Sequence, residues 1–247
     1  MPTPSPLYPP EQRTLDAALA LAATLGPGPT HTVAAAVMDT TGRIFTGVNV
    51  HHFTGGPCAE VVAVGAAATA GAGPLMTVAA AGGAGRGVLS PCGRCRQTLL
   101  DLHPDCLVVL PTPDGPGLLP VRDLLPFGYA HPDADPERLL RFAPQYRAGV
   151  SAGRKRATTR YRDPARIGPT WLVFEDDEHP YPRLPGVVER IEHRTLATLT
   201  EQDARAEGAS SADALRAGLR GHYPGITDDA PVELVHFRVA DHGAAPA

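Results

Sequence analysis

The spacing of the cysteines restricts the fold of this 247-residue chain more than any other feature of its sequence. Cys58 is followed, 34 positions later, by Cys92 and Cys95. A proline precedes Cys58 and Cys92, and the runs 60–70 and 92–102 have helix-like apolar patterns. Four cysteines in a chain of this size do not make a disulfide framework, whereas a Cys-x-x-Cys favours metal binding or catalysis in a cytosolic protein. The pattern therefore predicts two helix N-termini that carry one metal site.

The thiolates of Cys58, Cys92 and Cys95 are predicted to form an open zinc site. Three protein ligands leave the fourth tetrahedral position for water, whose pKa zinc lowers to about 7. Glu60, two residues after a ligand, is expected to lie beside the metal and to carry protons. The alternative is a closed structural site, with Cys106 as the fourth ligand and Glu60 on the surface. The sequence has no second Cys-x-x-Cys, and Cys106 opens an apolar run in which a cysteine behaves as a core residue.

Basic side chains near the cysteines have two predicted roles. Arg94 or Arg96 is expected to hydrogen-bond a ligand sulfur, which would offset the negative charge of three thiolates. The positive ends of the two helices act in the same direction. His51 and His52 are interpreted as polar loop residues rather than metal ligands, because the cysteines already complete the site.

The order of apolar patterns predicts two domains of different class. Helices are expected over 11–25, 60–70 and 92–102, and strands over 32–38, 43–50, 76–81 and 106–110. This alternation predicts one sheet covered by helices. A polar, proline-punctuated run, 130–136, divides the chain into domains 1–130 and 131–247. The second part has strand patterns over 171–174, 187–191 and 233–239 and one helical region, 201–220, with starts marked by Thr200 and Ser210, so we expect a small β-rich domain.

Region 30–130 resembles the cytidine deaminase superfamily, and within it blasticidin S deaminase. The segments that carry the resemblance are 42–50, 52–60 and 87–97. The resemblance implies a three-layer α/β/α sandwich with one zinc per chain, assembled as a homotetramer, that hydrolyses the exocyclic amine of a cytosine nucleoside. By position, Asn49 resembles the family residue that contacts the sugar.

Two departures from the resembled families leave the substrate open. Common cytidine deaminases have Asn-Val-Glu-Asn where this chain has Asn49-Val-His51-His52. Blasticidin S deaminase has Tyr at the position of His51, and ends in Gly-Tyr-Val-Trp where this chain has Gly-Tyr-Ala-His131. The expected small-molecule substrate is therefore either a cytosine nucleoside or a cytosine nucleoside antibiotic, the latter implying a role in antibiotic resistance.

Lys155 is the one lysine among 22 basic residues. A lysine, unlike an arginine, can lose its proton to act as a base or nucleophile, although chance retention explains one residue equally well. The run Gly-Arg-Lys155-Arg156-Ala-Thr158-Thr-Arg resembles the opening of ASCH domains, which are PUA-like β-barrels, except that Arg156 stands where the motif has threonine. Some ASCH proteins are N(4)-acetylcytidine amidohydrolases. That resemblance implies catalytic roles for Lys155, Thr158 and Glu207.

Charge balance favours small-molecule chemistry over nucleic-acid binding. Residues 1–130 hold 6 arginines against 8 acids, and residues 131–247 hold 16 basic residues against 18 acids. Binding of RNA or a nucleotide by a noncatalytic second domain remains the alternative, with a basic strip formed by Arg154, Lys155, Arg156, Arg160, Arg162 and Arg166. The chain shows no leader or membrane-span pattern, which predicts a cytoplasmic protein.

Overall fold

The computed structural model describes residues 4–132, 134–175 and 181–240, which divide into two compact units. Of the described residues, the first unit comprises those up to Pro136 together with Tyr181, and the second comprises 137–175 and 182–240. In the described residues no helix is both long enough and apolar enough to cross a bilayer.

The first unit is built on one sheet of six strands. Its elements in chain order are α1 (Pro9–Ala23), β1 (Val33–Asp39), β2 (Ile44–Val48), α2 (Ala59–Thr69), β3 (Leu75–Gly82), β4 (Gly87–Val88), α3 (Gly93–Leu102), β5 (Leu107–Thr112) and β6 (Gly115–Pro120). The strand order is β2-β1-β3-β5-β6, with β4 paired to β3. Only β3 and β5 run parallel. All predicted elements of this unit are present, whereas the short strand β4 and the strand β6 were not predicted.

Both faces of this sheet are buried, and alternate residues of its central strands pack into the two cores. Ala34 and Ala36 of β1 face the core formed with α1, whereas Ala35 and Val37 face the core that includes α2 and α3. Every residue of β3 is buried, as expected for a central strand covered on both sides. The predicted three-layer α/β/α sandwich is therefore confirmed.

The second unit is built on a five-stranded sheet of order β7-β9-β10-β11-β8. Its elements are β7 (Leu139–Phe142), α4 (Arg147–Ser151), β8 (Ala157–Arg160), β9 (Gly168–Phe174), β10 (Arg183–Thr195), α5 (Glu201–Glu207), α6 (Ala212–His222) and β11 (Pro231–Val239). The Arg160 guanidinium on edge strand β8 donates to the Arg141 carbonyl on edge strand β7 and lies 5.4 Å from the centre of the Phe142 ring. This contact joins the two edges, so the sheet is curled, and the predicted β-rich domain is confirmed.

The helical region of the second unit begins where a capping signal predicted it, with one correction. Thr200 caps α5 through a reciprocal pair of hydrogen bonds with Asp203. The region is interrupted at Gly208, which has a φ of 77°. The cap of α6 is Ser211, whose hydroxyl accepts from the Ala214 amide, so the prediction of Ser210 was wrong by one residue.

A partly buried histidine that follows α3 makes stability depend on pH. Burial lowers the pKa of His103 to about 4, and its Nδ1 accepts from the Leu75 amide at 3.4 Å. The unfolded chain takes up this proton near pH 6.5 and the folded chain near pH 4, so stability is lost as pH falls between these values. The full shift corresponds to about 3 kcal/mol.

His103→Asn keeps an acceptor near the Nδ1 position and cannot titrate. We expect this variant to lose much less urea resistance between pH 6.5 and pH 4.5 than the unsubstituted chain. His51→Asn, which changes an exposed histidine, is the control and should retain the original pH dependence. An unchanged pH slope in His103→Asn would contradict the role given to His103.

Candidate functional site

Three cysteine side chains meet at the N-termini of α2 and α3. Cys58 and Cys92 are the N-cap residues of these helices, and Cys95 lies in the first turn of α3. The Sγ atoms of Cys58 and Cys92 are 3.6 Å apart, as are those of Cys92 and Cys95. All three sulfurs lie within 4.8 Å of one another. The structure thus brings together the three cysteines that the sequence singled out.

A tight loop delivers Cys58 to this cluster. The Val50 amide donates to the Pro57 carbonyl at 3.0 Å and closes the loop at its base. A Cβ at Gly56 would lie 1.7 Å from the Val50 carbonyl oxygen, so only glycine permits this approach. Arg94 of α3 donates to the Gly56 carbonyl at 3.2 Å and ties the loop to the second cysteine segment.

The guanidinium groups of Arg94 and Arg96 hydrogen-bond backbone carbonyls and not the cysteine sulfurs. Besides the bond from Arg94 to Gly56, the Arg96 guanidinium donates to the carbonyls of Pro91 and Leu124 at 2.9 and 3.0 Å. Among the described residues neither guanidinium donates to a ligand sulfur, although the Arg94 backbone amide donates to the Cys92 sulfur. The guanidinium acceptors are carbonyls before α2, before α3 and at the end of the 3-10 helix Val121–Leu124, so the arginines fix the position of the cysteine segments.

Glu60 places a carboxylate beside the cysteines. It lies in the first turn of α2, is 5% exposed, and forms no hydrogen bond or ion pair with the described part of the chain. Burial, and then the Glu60 charge, raise the pKa of the Cys95 thiol. Burial raises the pKa of the Cys92 thiol as well. Hydrogen bonds from the amide and side chain of Cys95 act in the opposite direction and outweigh it, so the pKa of the Cys92 thiol is lowered. A buried carboxylate without a partner is expensive, which points to a cation or substrate group as its partner.

The donor set fits zinc. A tetrahedral ion with zinc–sulfur bonds of about 2.3 Å holds its sulfurs about 3.8 Å apart, close to the separations found here. Cys106 is buried elsewhere and its Sγ donates to the Leu107 carbonyl at 3.4 Å, so it is not a fourth ligand in this arrangement. His51 and His52 are exposed and lie outside the cysteine cluster. The three sulfurs leave one tetrahedral position open.

A second group of buried polar residues occupies the other unit, between β8 and α5. The Lys155 ammonium contacts the Glu207 carboxylate through Oε2 and donates to the Glu207 carbonyl at 3.1 Å. The Thr159 amide donates to the other carboxylate oxygen of Glu207. Thr158, in the middle of β8, is 7% exposed. The structure therefore joins Lys155 directly to Glu207 and places Thr158 on the adjoining strand.

Burial sets the electrostatics of the lysine. It lowers the pKa of Lys155, while the charge and hydrogen bond of Glu207 act in the opposite direction. The ring centre of Tyr146 lies 4.7 Å from the ammonium nitrogen, and the Tyr146 hydroxyl is 3.4 Å from Nε2 of His222. The sequence analysis missed Tyr146 and His222, because neither lies at a spacing from Lys155 that marks a site.

Comparison with known proteins identifies the first unit. The family model for the cytidine and deoxycytidylate deaminase zinc-binding region matches residues 9–110. Blasticidin-S deaminase of Bacillus cereus is 32% identical over 108 residues, which are 40% of this chain and 77% of the relative. Cytidine deaminase of Mycobacterium tuberculosis is 38% identical over 108 residues, which are 43% of this chain and 78% of the relative. The chain belongs to the cytidine deaminase family.

The deaminase similarity covers less than half of the chain, and the second unit has its own neighbour. The crystal structure of an ASCH domain from Lactobacillus crispatus is similar to the C-terminal part, with 19% identity and a TM-score of 0.34. This similarity covers 41% of the present chain and 79% of the ASCH chain.

Asn49 of the deaminase unit is already engaged by backbone. Its Oδ1 accepts from the amides of Thr32 and Val33 at 2.7 and 2.8 Å, and its Nδ2 donates to the Thr30 carbonyl at 3.4 Å. The side chain thus joins the loop before β1 to the end of β2. Of its two side-chain polar atoms, Nδ2 makes the longer contact.

The basic strip predicted for RNA is not a continuous exposed surface. Lys155 and Arg160 are buried, and Arg160 also pairs with Asp163 at 3.2 Å. The other four arginines of the strip are exposed. Two of the six predicted phosphate contacts are therefore committed to partners within the protein.

Proposed function

We propose that the deaminase unit hydrolyses the exocyclic amine of a cytosine nucleoside, with Cys58, Cys92 and Cys95 holding one zinc ion per chain. The observation that carries this proposal is the cluster of three sulfurs with the partnerless Glu60 carboxylate beside it. Bound zinc in such a site acts as a Lewis acid and makes water nucleophilic at neutral pH. The water oxygen adds to C4 of cytosine, the bond from C4 to the amine breaks, and the products are a uracil nucleoside and ammonia.

The residues of the chain divide the remaining work. Glu60 takes one proton from the attacking water and passes it to the ring nitrogen. It then takes the second proton from the hydroxyl formed at C4 and gives it to the departing amine. The N-termini of α2 and α3 offset the negative charge of the thiolates. Arg94 holds the loop that carries Cys58, and the amide nitrogen of Asn49 donates to the sugar.

We propose further that the second unit removes an N(4)-acyl group from cytosine, which exposes the amine that the first unit hydrolyses. The support is the buried pair of Lys155 and Glu207 next to Thr158. The Thr158 hydroxyl attacks the acyl carbon, and its proton is transferred to the amine as the bond from that carbon to the amine breaks. Water then hydrolyses the resulting threonine ester, which releases the acyl group as a carboxylic acid and restores the hydroxyl. Both carboxylate oxygens of Glu207 are occupied in the resting protein, one by the Lys155 ammonium and one by the Thr159 amide, and Lys155 donates to the developing oxyanion.

The test uses the purified, zinc-loaded full-length protein with cytidine, blasticidin S and N(4)-acetylcytidine in separate reactions. Chromatography with mass detection should show uridine from acetylcytidine, with cytidine as the intermediate. In Glu60→Gln, acetylcytidine should stop at cytidine, whereas Lys155→Met should still convert cytidine to uridine. Failure to deaminate any of the three would refute the first proposal. Deamination with acetylcytidine untouched would refute the second alone.

The same preparation tests the oligomeric state of the protein and its binding of RNA. We propose a homotetramer, which sedimentation would detect, and a cytoplasmic enzyme. The alternative, a noncatalytic unit that binds RNA, predicts a shift of labelled RNA that weakens steeply with salt, because phosphate contacts release counterions. Turnover of blasticidin S would make the protein an antibiotic resistance enzyme.

A further inference from the structure

The Lys155 ammonium is enclosed on three sides. The Glu207 carbonyl lies 3.1 Å from Nζ, and the Glu207 carboxylate contacts the same nitrogen. The third side is closed by Tyr146, whose ring centre is 4.7 Å from Nζ. At this distance the negative face of an aromatic ring attracts a cation, and more strongly when both are desolvated. Lys155 is 6% exposed, so the contact is desolvated.

Tyr146 is held in this position by its own segment and by α6. It ends a 3-10 helix, Pro144–Tyr146, that runs directly into α4. The Gly149 carbonyl of α4 accepts from the Lys155 amide at 3.1 Å. This hydrogen bond closes the segment that connects Tyr146 to Lys155. His222, the last residue of α6, contacts the Tyr146 hydroxyl.

We propose that Tyr146 is a positioning residue for Lys155, whose ring closes the side of the ammonium that Glu207 leaves open and favours its charged form. Four other titratable or charged groups surround this pair. Of these, the negative charge of Glu207 favours the ammonium and the positive charge of Arg160 opposes it. The other two are reached through intermediates: His222 contacts the Tyr146 hydroxyl, and Tyr223 interacts electrostatically with Arg160 and Glu207. Tyr146 adds no net charge, so its effect comes from the ring face. The kinetic consequence rests on the proposed amidohydrolase activity, whereas the effect on the lysine does not.

The absence of any other lysine makes this proposal directly measurable. In competitive labelling with acetic anhydride, the peptide that contains Lys155 is quantified by mass spectrometry against the α-amino group over a range of pH. The midpoint of the labelling curve reports the pKa of Lys155, and its plateau reports access to the amine. We expect Tyr146→Leu to lower the midpoint by about one pH unit, equivalent to about tenfold more neutral amine at a given pH.

Matched variants separate the ring from its hydroxyl and from general damage. Tyr146→Phe keeps the ring and should leave the midpoint within about 0.3 unit of the original. Tyr8→Leu changes a tyrosine that is 60% exposed in the other unit and should have no effect. A higher plateau in Tyr146→Leu with an unchanged midpoint would show that the ring only blocks access, and would overturn the proposal. So would an equal shift in Tyr146→Phe.

The activity measurement keeps the two proposals apart. If N(4)-acetylcytidine is hydrolysed, the basic limb of kcat/KM against pH should move down in Tyr146→Leu by the same interval as the labelling midpoint. If it is not hydrolysed but the midpoint moves, the amidohydrolase proposal fails and the role of Tyr146 stands. Hydrolysis with a basic limb that stays fixed while the midpoint moves would overturn the kinetic role of Tyr146.

Discussion

Glu60→Gln is expected to keep its zinc and to lose about a thousandfold of the deamination rate, within the range of about 10²–10⁴ that general acid and base catalysis supplies. Glutamine has nearly the same shape as glutamate and fits the first turn of α2, but it cannot accept and return a proton. Because Glu60 makes no hydrogen bond with the described chain, the substitution breaks no internal contact there. Steady-state kinetics on cytidine and metal analysis of the same sample measure the two quantities.

The control for this substitution is Glu189→Gln, which removes an exposed carboxylate paired with Arg238 at 3.0 Å in the second unit. It should retain both zinc and rate. If Glu60→Gln lost zinc in proportion to activity, Glu60 would be part of the metal site and not the proton carrier. A rate within tenfold of the original would contradict the proposed role altogether.

Signals confined to one helical turn predicted structure well in this chain. The helix starts near Cys58 and Cys92 and the cap at Thr200 lie where the sequence indicated, because a helix start is decided by the few residues around it. The hairpin of β1 and β2 is present for the same reason, with Gly42 at a φ of 78° in its turn. Since the cysteines belong to two such starts, most of the metal site was predictable.

Structure that depends on distant partners was not predictable. Strand β6 contains Gly115, Pro116, Gly117 and Pro120, which disfavour a strand, yet it pairs with β5 over six residues. It is an edge strand of the order β2-β1-β3-β5-β6, where proline is tolerated. No local pattern reveals that β5 offers this edge.

The same limit applies to the sites. The acceptors of Arg94 and Arg96 are backbone carbonyls, as far away as Leu124, and any residue supplies a carbonyl. Lys155 and Glu207 are 52 positions apart, and only resemblance to another family singled out both. The Tyr146 ring reaches the lysine through the turn before α4, a contact that has no sequence signature.

The second large effect is expected at the buried pair of the other unit. Lys155→Met and Glu207→Leu each leave one charge buried without its partner, and each should destabilise the second unit by about 3–5 kcal/mol. The double substitution Lys155→Met with Glu207→Leu removes both charges, and should be less destabilising than either single change. Trp171, the one tryptophan of the chain, lies on β9, so its fluorescence during urea unfolding follows this unit selectively.

An exposed pair supplies the comparison. Arg216 and Asp213 on α6 are 2.6 Å apart, with the aspartate side chain 92% exposed, and breaking this pair should change stability by less than about 1 kcal/mol. If the Lys155 and Glu207 singles were as mild, or if their effects simply added in the double variant, the pair would not be coupled as the structure indicates. If the double variant recovered stability but lost all hydrolysis of acetylcytidine, the two charges would be shown to serve the chemistry and not the fold. An apolar pair would then make a more stable protein without its second activity, and selection for that activity would account for the buried lysine.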